Sequence, residues 1–369
     1  MNLDLNETQT IFRDTVRGFL EQQVPFSRIR ELEKEGLADG ALWKALAEQG
    51  YLGIGFPESL GGGGGTLVEV GLLVEEIQRR AAIVPVLGTL AAAHTIQRCT
   101  DPERAASLVR RTLSGAMTIA PSLLEVNDRF ADLGAEADAD GRIRGEKYFV
   151  DYATFATHHL VAAHRDGEIG LFLVDASDPA VKTRPTVSIA RTPQAVVRYD
   201  GARGERLAGE KGYRHLVNLG RVLCAVQILA CMQQSLDMTV AYTSVREQFG
   251  RPIGTFQAVH HHCANMATQV EATRFLAYEA LDALERGVAT DEQAAIAKAA
   301  ASEAVPEVTM LGHQLHGGQG FIEENDLYFF TLRGKERSLA WGTLDECLAV
   351  VAQTVDQEQD WLFAVPATA

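Results

Sequence analysis

Residues 242–257 read Y-T-S-V-R-E-Q-F-G-R-P-I-G-T-F-Q, and this stretch decides the fold. It joins the end of a long apolar helix to a turn and a second helix. The pattern places Arg246 in the last turn of the first helix. Phe249, Gly250 and Pro252 then break the chain direction, and Gln257 opens the next helical run. A guanidinium, an aromatic ring and an amide gathered at a helix junction suit a ligand that carries both phosphate and rings. A helix hairpin with a solvated arginine is the plainer alternative.

A second pair of segments narrows the choice. Residues 314–321 read Q-L-H-G-G-Q-G-F, and residues 333–343 read R-G-K-E-R-S-L-A-W-G-T. Gly317 and Gly318 would let backbone N–H groups approach a ligand closely, although Gly-Gly-x-Gly by itself is equally a helix-ending turn. Together with R-E-Q-F-G-R-P-I and the following F-Q, these segments resemble the two flavin-binding signatures of the acyl-CoA dehydrogenase family. Gly53–Gly65 (G-I-G-F-P-E-S-L-G-G-G-G-G), followed by Glu75 and Glu76, looks like that family's early helix, loop and helix. The resemblance covers essentially the whole chain, strongly in the C-terminal part and weakly between Ala116 and Tyr152.

The resemblance implies a mainly α chain with a small β-domain. It implies an N-terminal helical domain (1–115), a middle antiparallel β-barrel (116–210) and a C-terminal four-helix bundle (211–369) that tetramerises. It implies FAD as cofactor, α,β-desaturation of an acyl-CoA thioester in lipid metabolism, and electron-transfer flavoprotein as electron acceptor. The cofactor-binding positions it points to are Arg246 for the pyrophosphate, Phe249 as a ring surface, and Gln257 and Gln314 as amides. Leu315, His316, Gly317 and Gly318 complete the loop, with Thr343 and Asp345 beyond it. In the family, the junction and this loop reach the flavin of a neighbouring subunit, which implies an oligomer.

The expected catalytic base is missing. Family members place a glutamate directly before the Gly-Thr pair, where this chain has Trp341 before Gly342 and Thr343. A minority place it on the long helix one residue before an arginine, where this chain has Gly220 before Arg221. Indole N–H only donates and glycine has no side chain, so neither position accepts a proton. Trp341 reads as a plug in the acyl pocket or as a core aromatic. Arg221 reads as a contact for the acyl-CoA substrate or as the partner of a core carboxylate. The segments that hold the flavin ring in the family are also reduced. Thr118, Pro121 and Phe149 are the plausible remnants, within 117–124 and 147–151.

A degraded site for its own flavin beside an intact site for a neighbour's points to one subunit of a heterotetramer. The partner, a second acyl-CoA dehydrogenase subunit, would carry the glutamate. Two alternatives stand: an active homo-oligomer with a relocated base (Asp151, Asp345 or Glu346), and a non-catalytic binding or scaffolding paralogue.

Bulk properties agree with an enzyme of this kind. A chain of 369 residues exceeds one compact core, so two or three subdomains are expected. The net charge of −15 argues against nucleic acid and anionic membrane as partners. The five cysteines (Cys99, Cys224, Cys231, Cys263, Cys347) are scattered, without a C-x-x-C pair, and read as core thiols in a reducing compartment. The polar, acidic start resembles neither a signal nor a transit peptide, so a cytoplasmic location is expected. No uninterrupted apolar stretch reaches the roughly 18 residues of a membrane span.

Patterning supplies the elements. Ile11, Val16, Phe19 and Leu20 fall at helical spacing after Asn6-Glu7-Thr8, and Leu42, Leu46 and Tyr51 continue it. Segments 68–80 and 88–99 are two more helices. Gly61–Gly65 lacks the Gly-Lys-Ser/Thr ending of a phosphate cradle and reads as a flexible loop. Short apolar runs at 160–163, 170–174 and 195–199 read as strands. Helices return at 216–249, 257–286, 291–312 and 344–358. His260, His261 and His262 project about 100° apart on a helix, so they do not converge on one metal.

Overall fold

A computed structural model describes residues 4–126, 130 and 133–357. The N-terminal region is helical: α1 (Glu7–Gln23), α2 (Phe26–Glu35), α3 (Gly40–Glu48), α4 (Leu67–Arg79), α5 (Val86–Cys99) and α6 (Pro102–Leu113). Local chemistry sets several of the starts. Asn6 and Gln9 form a reciprocal capping box at α1, as do Thr66 and Glu69 at α4, which satisfies N–H groups the helix leaves free. Asp101 caps α6, with Pro102 at the first helical position.

Between these helices the glycine run is not a slack loop. Gly62, Gly63 and Gly64 donate to Pro57, Gly53 and Phe56 carbonyls, and Gly55 donates to Gly64. A Cβ on Gly62 would lie 2.1 Å from the Phe56 carbonyl oxygen. The run therefore serves close backbone packing, which only glycine allows here.

A seven-stranded sheet fills the middle: β1 (Ile119–Ser122), β2 (Glu136–Ala137), β3 (Arg142–Asp151), β4 (His158–Arg165), β5 (Glu168–Asp175), β6 (Val181–Thr186) and β7 (Gln194–Ala208). The long strands pair antiparallel, as expected. β1 and β2 instead pair parallel with β4, so the sheet is mixed. Its barrel-like interior is a separate apolar cluster built on Ile143, Phe172, Val197 and Tyr199.

The C-terminal region holds α7 (Glu210–Val245), α8 (Gln257–Glu285), α9 (Asp291–His316), α10 (Leu327–Leu339) and α11 (Leu344–Gln357). α7 is buried on nearly all sides, between α8, α9 and α10 and the N-terminal α4 and α5. By length and composition it could cross a membrane, but 89% of its most apolar window is buried inside this fold, so it reads as a core helix.

Three details differ from the sequence reading. α7 stops at Val245, and Arg246 is its extended cap residue (φ −72°, ψ 119°) rather than part of its last turn. α9 runs on to His316, so Gln314, Leu315 and His316 are helical. α10 is an additional helix: its buried face carries Arg333, Glu336 and Arg337 alongside Phe329 and Phe330, which hides the apolar stripe that periodicity detects.

Candidate functional site

Two regions matter, and they lie at opposite ends of α7. At its C-terminal end Tyr242 stacks on His316 with ring centroids 4.4 Å apart. That contact brings the 242–257 segment beside the 314–321 segment. Past Arg246 the chain forms a tight hairpin, pairing Glu247–Gln248 with Arg251–Pro252. Phe249 (φ 55°) and Gly250 (φ 78°) form its two-residue turn, with the left-handed backbone of a type I′ connection.

Phe249 is 93% exposed, a large apolar ring held in a conformation unfavourable for a bulky residue. Arg246, Gln257, Gln314, Gly317 and Gly318 are exposed as well. Arg246 has no ion pair among the described residues. Arg251 lies over the Phe256 ring at 4.1 Å. Gly317 (φ 59°, ψ −140°) occupies backbone space open essentially to glycine alone, and a Cβ on Gly317 or Gly318 would meet nothing within 4 Å. This end therefore offers a cation, a ring, two amides and approachable backbone; the Arg246, Gln257 and Gln314 side chains have no polar partner among the described residues, while Phe249 meets Phe256 edge-on at 6.1 Å and the Gly317 N–H donates to the Gln314 carbonyl. Leu315 is half-buried, and His316 is buried with its Nδ1 2.8 Å from the Gly312 carbonyl oxygen. The three histidines His260–His262 form no metal cluster among the described residues.

Gly220 and Arg221 lie well back along α7. A Cβ built on Gly220 would lie 2.0 Å from Trp341 Cε3 and 2.1 Å from Cζ3, so the indole packs directly on the glycine backbone. The loop bearing Trp341 is pinned from below. Arg221 Nε donates to the Trp341 carbonyl at 3.3 Å. Lys298 Nζ donates to Gly342 O (2.9 Å), Ser338 O (3.0 Å) and Ser302 Oγ (2.8 Å). Burial lowers the Lys298 pKa, yet its three donors are all met and it sits at the α10 C-terminus, where a cation is favoured. Cys224 Sγ caps the Arg337 carbonyl. Arg221 is buried and does not line the neighbouring cavity; its guanidinium lies 5.8 Å from the Phe130 ring centroid, with no carboxylate ion pair among the described residues.

That cavity, of about 240 Å³, lies between the start of α5, strands β1 and β3, the 187–194 loop and α10. Its charged wall is self-contained. Arg337 pairs with Asp151 at 2.5 Å and with Glu336 at 3.1 Å. Glu336 also accepts from Ala190 N and Thr192 Oγ1. Burial opposes the charge on Arg337, but Asp151 and Glu336 outweigh it and hold the guanidinium protonated well above its usual range. Thr343 and Glu346 cap α11 reciprocally, and Asp345 is exposed.

Comparison with known proteins decides the family. The acyl-CoA dehydrogenase N-terminal domain matches residues 6–116 and the acyl-CoA dehydrogenase C-terminal domain matches residues 211–355. A solved steroid ACAD, Tcur3481-Tcur3483 (a variant), superposes with TM-score 0.90 at 32% identity, covering 96% of this chain and 99% of that one. The chain belongs to the acyl-CoA dehydrogenase family. The ChsE4-ChsE5 complex from Mycobacterium tuberculosis matches with TM-score 0.90 at 26% identity, over 97% of this chain and 99% of that one. The acyl-CoA dehydrogenase IpdE2 of Mycobacterium tuberculosis is 27% identical over 331 residues, 89% of this chain and 91% of that protein.

Acyl-CoA dehydrogenases are FAD-dependent oxidoreductases acting on acyl-CoA, and the two regions of this chain fit FAD unequally. The Arg246 end carries groups able to hold part of a flavin nucleotide. The cavity fits a flavin ring poorly, because Asp151, in the strand segment that resembles the ring-holding one, is committed to Arg337 and Gln194. Sequence reasoning missed the Arg337–Asp151–Glu336 network and Lys298. Adjacent charges at 336 and 337, inside a segment leading to the Gly-Thr pair, were the available signal for the network.

Proposed function

We propose that this chain is the subunit lacking the proton-abstracting glutamate in a heterotetrameric, FAD-linked acyl-CoA dehydrogenase. The observation that carries the reading is the contact between Trp341 and Gly220. One indole fills both places where this family puts its base, so a carboxylate at either would need the other side rebuilt. The paired names of Tcur3481-Tcur3483 and of the ChsE4-ChsE5 complex support a two-chain arrangement.

When bound, FAD supplies hydride acceptance from the acyl chain. This chain's own residues bind and orient. Arg246 neutralises pyrophosphate, Phe249 presents a ring face, Gln257 and Gln314 offer amides, and Gly317 and Gly318 offer backbone that a ligand can approach closely. The proton from the carbon beside the thioester goes to a carboxylate on the partner, and electrons pass on to an electron-transfer flavoprotein. A relocated base within the cavity gains little support, since Asp151 and Glu336 both belong to the Arg337 network.

The test is purification of the chain alone and with a glutamate-bearing family partner, followed by titration with FAD and acyl-CoA. Flavin retention and dehydrogenation are expected only in the mixed complex. Strong dehydrogenation by the lone chain refutes the proposal.

A further inference from the structure

The cavity beside Trp341 has a chemistry of its own. Five aromatic side chains line it: Phe130, Tyr148, Phe149, Tyr152 and Trp341. Three of these, Phe149 (φ 52°), Tyr152 (φ 56°) and Trp341 (φ 58°), hold left-handed backbone conformations, among seven non-glycine residues that do so in the described chain. Such strain persists where the surroundings enforce it, and it gathers at ligand sites. The mouth is apolar too: Phe149, Val187, Ile189 and Leu339 all line the cavity and are exposed.

The wall has no charge to spare. Its two arginines are matched by carboxylates, Arg337 by Asp151 and Glu336, and Arg333 by Glu33. Two of its three glutamines are engaged, Gln78 with Cys231 Sγ and Gln194 with Asp151. Gln227 is the exception. It carries no hydrogen bond among the described residues, and its Oε1 is buried without a partner, as is Nε of Arg333, whose two terminal nitrogens are taken by Ala81 O and Glu33.

We propose that this cavity binds an uncharged, rigid, ring-built hydrophobic molecule bearing a single hydroxyl or carbonyl, which pairs with the Gln227 amide. An anionic ligand would find no cation here that lacks a carboxylate partner, and leaving its charge uncompensated is costly. A flavin ring would leave most of its polar edge unsatisfied, because among the wall's buried side-chain polar atoms only Gln227 Oε1 and Arg333 Nε lack a partner. The inference rests on the reading that this chain does not hold a flavin ring in its own cavity.

The full chain is titrated with the neutral fluorophore N-phenylnaphthylamine, which is then displaced with adamantanol, adamantanecarboxylate or riboflavin. Fluorescence should rise on binding and fall with adamantanol, while the carboxylate should compete at least about ten-fold more weakly. Gln227→Leu should weaken adamantanol about five-fold, one hydrogen bond's worth, and leave adamantane, which lacks the hydroxyl, unchanged. Ile189→Arg, on the exposed rim and checked for an unchanged urea midpoint, should weaken both about ten-fold. Absence of fluorophore binding, equal competition by the carboxylate, or an unaffected Gln227→Leu variant overturns this inference and leaves the proposed function standing. Displacement by riboflavin overturns both.

Discussion

Substituting Gly220→Ala measures how tightly Trp341 fills the place of a base. The added methyl would start 2.0 Å from Trp341 Cε3 and 2.6 Å from Cδ2, well inside the ~3.5 Å at which carbons attract. The ring cannot simply slide, because Arg221 and Lys298 hold the carbonyls of Trp341 and Gly342. Overpacking of this kind costs about 3 kcal/mol at the severe end. Alanine returns about 1 kcal/mol in helix propensity. The net expectation is a loss of about 2 kcal/mol. With Trp341→Ala in the background, the clash disappears and only the propensity gain remains, so the same substitution should stabilise by about 1 kcal/mol. The coupling between the two positions is then about 3 kcal/mol. Urea unfolding of the four chains, with the midpoint and slope compared, reads it directly. A coupling near zero would show that the indole does not occupy the Gly220 face, and the two-position account of the missing base would fall with it.

Other perturbations address other parts of the molecule. Burial holds His94 down to about 3, and His159 and His215 to about 4, so the folded chain keeps all three neutral while the unfolded chain protonates them below about 6.5. Stability is therefore whole above that pH and falls as pH drops towards 4, by about 1.4 kcal/mol per unit for each histidine; a urea midpoint unchanged between pH 7 and 5 would contradict this. Arg337→Met strands Asp151 and Glu336 in a buried setting and should cost about 3–5 kcal/mol, read as a fall in the thermal midpoint. Phe249→Asn keeps the hairpin and removes a bulky residue from positive φ, so the lone chain should gain up to about 1 kcal/mol while the mixed complex loses flavin affinity; a gain in both would deny Phe249 a binding role.

Much of this was legible in the sequence, for reasons particular residues make clear. Asn6 announced α1 because a side-chain oxygen there meets free N–H groups. The long apolar run announced α7 because burial on most sides leaves no polar face. Gly317 needed glycine for its backbone angles. The Trp341–Gly220 contact was not legible, since a ring and an absent side chain far apart in sequence show no periodicity. α10 escaped because its inward face carries ion pairs, and charge normally marks an outward face. The parallel pairing of β1 with β4 depends on how the chain returns to the sheet, which composition does not encode.

The two functional ends could part company because of their separation. Gly220 and Arg246 are 246 − 220 = 26 residues apart along α7 and its cap, about 39 Å at a helical rise of ~1.5 Å per residue. At that separation, replacing a base at one end places no direct steric demand on the other. The consequence is measurable. Gly220→Ala and Arg246→Ala should be additive in stability within about 0.5 kcal/mol, with Arg246→Ala close to silent because no ion pair is lost. Arg246→Ala should nonetheless release flavin from the mixed complex. Strong non-additivity, or flavin retention unchanged by Arg246→Ala, would mean that α7 does not separate a surrendered centre from a preserved one.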